Sequence, residues 1–145
     1  MNWLNRTVPE RWQAPFLILV VLGMLGVFGI IAFEQMNESR AREEVLIALN
    51  DISPNASVTI NGKAQPITQV LEALRTLHHV DPHHSSPVLP IRVEIRDGSK
   101  TINLVVARDS ERAHEYWVFK PGWNYHNNPL GEELGAIQTD FFKDY

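Results

Sequence analysis

The densest run of chemically capable side chains is HHVDPHH, which places His78, His79, Asp81, His83 and His84 within seven positions. Imidazole nitrogens and a carboxylate suit zinc, copper or nickel. A metal site needs its ligands held in fixed geometry, and Pro82 makes this run a helix exit followed by a loop. The competing reading assigns His78 and His79 to the end of the helix, where imidazole meets exposed carbonyls, and leaves His83 and His84 solvated. Histidines titrate near neutrality, so the loop is also a candidate for pH response. Asp81, His83, Ser85 and Ser86 contain the letters of a hydrolase triad. They share one loop, whereas triads draw their members from separate elements, and no G-x-S-x-G elbow is present. Asp109 and Glu111 lie among Arg108, Ser110 and Arg112, the pattern of a solvated, ion-paired turn. These patterns point away from an enzyme and require no cofactor.

Aromatics form a second group: Tyr116, Trp117, Phe119, Trp123 and Tyr125. In a strand, Trp117 and Phe119 share one face and Tyr116 the other, so one side must be covered by another layer or left for a partner. The stretch from Lys120 to Pro129 is long for a connection between paired strands, where ~2–5 residues suffice. Trp123 and Tyr125 offer large contact area with few torsions to freeze, and Asn124 supplies donors and acceptors. Pro121, Gly122 and Pro129 restrain the loop. Trp123, Asn124, Tyr125 and Tyr116 are therefore the expected binding residues, ahead of the histidines, for a protein groove, a peptide or a glycan.

Whatever these residues do, Phe16 to Phe33 decides where they do it. FLILVVLGMLGVFGIIAF contains no charge. At ~1.5 Å per residue it makes a helix of roughly 27 Å, close to the ~30 Å hydrocarbon core of a bilayer. Only a helix satisfies its own backbone in lipid. The run is longer than a signal-peptide core and ends Ile31-Ala32-Phe33, with no small-x-small cleavage pattern, so an uncleaved anchor is expected. Trp12 marks the interface one turn before Phe16, and Pro15 is expected at the first helical position, where its missing N–H costs nothing. Arg6 and Arg11 precede the span and Arg40 and Arg42 follow it. The tie is broken by the amino terminus and by the closeness of Arg11, which favour a cytoplasmic tail and an extracytoplasmic domain. Gly23, Gly26 and Gly29 sweep one side of the helix and offer a face for helix association and a homo-oligomer.

The chain of 145 residues is then divided as a tail (1–15), the span (16–33), a juxtamembrane helix and linker (34–56) and one domain (57–145). Net charge is −4 and no basic footprint for nucleic acid is visible. With no cysteine, disulfides and thiolate metal sites are excluded. Ala41, Val45, Ala48, Leu49 and Ile52 give a helical stripe ended by Pro54. Asn61-Gly62 turns a hairpin within Ser57–Gln65. Pro66 opens an amphipathic helix with Ile67, Val70, Leu71, Leu74 and Leu77 inward and Gln69, Glu72, Ala73 and Arg75 outward. Leu89, Ile91, Val93 and Ile95 alternate inward along a strand, and a four-residue loop through Lys100 pairs Ile95 with Ile102. Glu115–Phe119 and Leu134–Thr139 supply further strands, and Phe141, Phe142 and Tyr145 cap the core. The expected fold is α+β: a transmembrane helix, then an amphipathic helix packed on an antiparallel sheet of four to five strands. The expected role is a membrane-anchored interaction or assembly module with a protein partner, in a bacterial inner membrane with a periplasmic domain. The alternative is a ligand-binding or sensing domain for glycan, peptide or metal.

Overall fold

The computed structural model describes residues 10–80, 84–122 and 128–145. The chain divides into two compact units, one ending at Asn37 and the other spanning Glu38–Tyr145. Helix α1 runs Glu10–Asn50, so Pro15 lies inside it and not at its first position. Its stretch Ala14–Asn50 is long and apolar enough to cross a membrane, and none of its most apolar window is buried. Between Phe16 and Phe33 thirteen large apolar side chains stand exposed. A Cβ added at Gly23, Gly26 or Gly29 would meet open space.

The second unit begins with the last turns of α1, where Ala41, Val45 and Leu49 are buried, as is Ile52 just beyond. Strands β1 (Ser57–Ile60) and β2 (Lys63–Gln65) form the hairpin, α2 follows over Ile67–Leu74, and then come β3 (Pro87–Asp97), β4 (Lys100–Asp109), β5 (Glu115–Lys120) and β6 (Glu132–Gln138). All six strands join one antiparallel sheet in the order β2-β1-β3-β4-β5-β6, one or two more than expected. The reason is the hairpin. Val58 and Ile60 lie opposite Ile95 and Val93, so pairing β1 to β3 buries four apolar side chains on one face. The end of α1 and α2 contribute to the same core as that face, together with Phe142 from the 3-10 turn Phe141–Asp144.

Side-chain ties fasten α1 into this unit. Arg42 Nε donates to Leu134 O at 2.6 Å and Arg75 Nη2 to Leu49 O at 3.0 Å. Asp97 accepts from Ser53 N and Ser53 Oγ, both at 2.8 Å. Those bonds, the backbone one first, hold the Asp97 carboxyl below the usual carboxylate range.

Three local expectations are corrected. Ala73 is buried, not outward, because α2 packs along Val70, Leu71, Ala73 and Leu74. Ile95 does pair with Ile102, but the turn is the two residues Gly98-Ser99, with Asp97 opposite Lys100. Gly98 supplies the positive φ of 58° that so short a turn demands. Leu89 does not point inward. A bulge between Val88 and Ile91 breaks the alternation, leaving Leu89 69% exposed at φ 51°.

Two measurements follow from this packing. A chain starting at Glu38 should fold and stay soluble, whereas one starting at Ser57 should be unfolded by circular dichroism. Removing Val45, Leu49 and Ile52 from the core forfeits roughly 5–9 kcal/mol at ~1.5–3 each, comparable to a small domain's whole stability. Leu89→Gly should raise stability by about 0.5–1 kcal/mol in urea denaturation, because it releases a left-handed leucine and gives up little burial.

Candidate functional site

The helix after Pro66 ends at Leu74, so His78 and His79 do not close it. His78 instead pairs with Ala136 on the outer edge of β6, donating N–H to Ala136 O and accepting from Ala136 N, both at 2.9 Å. Gly135 makes this approach feasible. Its φ is 136°, and a Cβ there would lie 2.1 Å from His78 O. The ring Nδ1 of His78 lies 3.1 Å from Thr76 O. His79 and His84 are exposed. Asp81 and His83 lie outside the described residues. Among the described residues no three His, Asp or Glu side chains are grouped to hold a metal ion.

From the β6 edge the chain reaches the end of β4, where Ser85 and Asp109 are both buried. Ser86 O accepts from Ser110 N at 3.0 Å, and Ser86 N donates to Ser110 Oγ at 2.9 Å. Asp109 collects four donors. Ser85 Oγ and Trp117 Nε1 (2.8 Å) donate to Oδ2, and the amides of Glu111 (2.8 Å) and Arg112 (2.9 Å) donate to Oδ1. Burial pushes this carboxyl up, but the four bonds outweigh it and hold the group well below the usual carboxylate range. A carboxylate so satisfied is a poor base. The Ser85 hydroxyl beside it is therefore a structural donor and not an activated nucleophile.

Trp117 is thereby accounted for: its indole N–H is bound to Asp109, and its ring stacks on Phe119 with centroids 6.4 Å apart. Phe119, Ala107 and Ala136 are fully buried on this face. The second side of β5 is thus covered rather than open, and burial settles the choice that alternation left. Tyr116, expected as a binding residue, is 2% exposed in the main core, edge-on to Phe142 at 5.7 Å. Burial pushes its hydroxyl pKa up. It presents no surface to a partner. Trp123, Asn124 and Tyr125 lie outside the described residues. Trp12 lies in α1, and Phe16 and Phe33 are exposed on it.

Reasoning from sequence missed the Asp109 node. Its signal was an aspartate at the end of an alternating strand, followed by Ser110-Glu111-Arg112, where a carboxylate bonds amides two and three residues on. It also missed an open groove between α2 and β6, lined by Gln69, Glu72, Ala73, Thr76, Gln138, Thr139 and Phe141. Neither a family model, a curated protein nor a solved structure matches this chain.

Asp109→Asn should lower stability by about 2–3 kcal/mol at pH 7, because Ser85 can turn to accept from the new amide while the Trp117 N–H cannot. Since the native pKa is depressed, the contribution of Asp109 is present above the unfolded value near ~3.9 and is lost as pH falls below it. The wild-type melting temperature should therefore drop below about pH 4, with a smaller drop in Asp109→Asn. Equal acid sensitivity in scanning calorimetry would show that Asp109 is not the group responsible.

Proposed function

We propose that this protein is a single-pass membrane protein whose α+β domain acts as a non-enzymatic interaction or assembly module at the bilayer. The observation that carries the reading is the uncovered apolar surface of α1 from Phe16 to Phe33. Soluble chains rarely expose a contiguous apolar patch beyond a few hundred Å², and lipid is the solvent that removes the cost of this one. In this reading the tail lies in the cytoplasm of a bacterium and the domain in the periplasm. Arg11 stands five positions before Phe16, while the nearest following cation, Arg40, stands seven after Phe33.

The interaction role rests on how the domain's polar groups are used. The two buried carboxylates are tied into the fold: Asp109 binds four donors, and Glu115 meets Arg112 at 3.1 Å. Among the described residues the domain offers a groove and an exposed leucine at the sheet, features suited to contact rather than bond chemistry.

The intact chain should stay in the membrane pellet after alkaline carbonate extraction, and an alkaline-phosphatase fusion at Tyr145 should be active while a cytoplasm-dependent fluorescent fusion is dark. Release into the supernatant would remove the anchor, and the reverse fusion pattern would move the domain to the cytoplasm.

A further inference from the structure

Hydrogen-bond parity along β6 leaves its outer edge open at Gln138 among the described residues. Thr139 N donates toward β5, to His114 O at 2.9 Å. Alternation then turns the backbone of Gln138, Ala136 and Leu134 outward. Leu134 O is taken by Arg42, and Ala136 exchanges both bonds with His78. At Gln138 the chain on that side has already bent into the turn at Thr76, and among the described residues no backbone group pairs with it. Gln138 lines the groove beside α2, whose volume is about 390 Å³, near the lower end of the ~300–1,000 Å³ typical of ligand clefts.

The lining also narrows the occupant. Thr76 Oγ1 is spent on Ala73 O at 2.7 Å, and Thr139 Oγ1 on the Phe141 amide at 3.0 Å. The groups left to meet a ligand are the carboxamides of Gln69 and Gln138, the Gln138 backbone, the Phe141 ring and the Glu72 carboxylate. Glu72 is the groove's one charged residue among the described residues, and it is exposed. An unpaired strand edge beside a helix is a template for an extended chain, with main-chain bonds giving affinity and flanking side chains giving selectivity.

We propose that this groove takes an extended peptide segment bearing a basic residue, which pairs its backbone with Gln138 and sets its cation against Glu72. The proposal rests on the interaction-module reading and names the partner's chemistry.

The test uses the full-length, isotope-labelled chain in detergent micelles and two blocked five-residue Thr/Val peptides, one with a central lysine and one with a central glutamate. The lysine peptide should shift the amide resonances of Thr76, Gln138 and Phe141 and slow exchange of the Gln138 N–H about tenfold. The glutamate peptide should bind about two- to fivefold more weakly, the order of one exposed ion pair. Gln138→Pro removes the outward N–H while sparing the bonds of Ile137 and Thr139 to β5, and should lose binding at an unchanged melting temperature. Should that variant unfold, Glu72→Lys decides instead, by reversing the preference between the two peptides.

Shifts absent at these amides, shifts confined to the exposed residues Arg92 and Asn103 of β3 and β4, or equal affinity for both peptides would overturn the proposal. So would N-acetylglucosamine moving the same amides where the peptides do not. If groove binding fails while a protein partner still crosslinks to the chain in native membranes, this proposal alone falls. If nothing crosslinks, the interaction reading falls with it.

Discussion

Everything in this structure depends on what helix α1 can cover. It is one continuous helix with two kinds of surface. From Phe16 to Phe33 its apolar side chains are bare, whereas Ala41, Val45 and Leu49 are part of the domain core. Apolar area removed from water is worth roughly 25 cal/mol per Å² wherever it goes. The second stretch gains that from the domain core. The first gains it, in the proposed reading, from lipid.

The domain solves a second problem at its other sheet face. A sheet of long strands with aromatics on both sides cannot bury both against one layer of helices. Phe119, Ala107 and Ala136 are buried on the far side, and a short polar node stands where Trp117 meets the edge of that small core. Asp109 orders the turn after β4 and binds Trp117 and Ser85. One carboxylate thereby joins the segment before β3, the turn after β4 and strand β5. A charge taken out of water is tolerated there because four donors replace its hydration.

Much of this was legible in the sequence, and the limits have physical causes. Period and composition located α1, α2 and the long strands, since burial on one face leaves a repeat that can be counted. Register at the β3–β4 hairpin followed from keeping Lys100 wet, although the turn itself proved tighter. Alternation failed at Leu89, because a bulge costs one residue and leaves no signature beyond the flanking Pro87 and Pro90. The sheet's full width was hidden because β1 and β3 are separated by α2, and nothing local says that Val58 will face Ile95. His78 was misplaced because α2 stops at Leu74, and the bond that fixes His78 is a backbone pair with a residue far along the chain, permitted by Gly135. The open edge at Gln138 is a property of hydrogen-bond parity, which no side chain encodes.

The central claim is that α1 lies in lipid from Phe16 to Phe33. The chain has no cysteine, so single cysteines can be introduced one at a time and probed with a membrane-impermeant maleimide in intact membranes. Cysteines at Val20, Met24 and Phe28 should stay unlabelled until detergent is added, while one at Asn37 should react at the rate of an exposed thiol. Rapid labelling at Met24 in intact membranes, equal to that at Asn37, would place the helix in water and contradict the account.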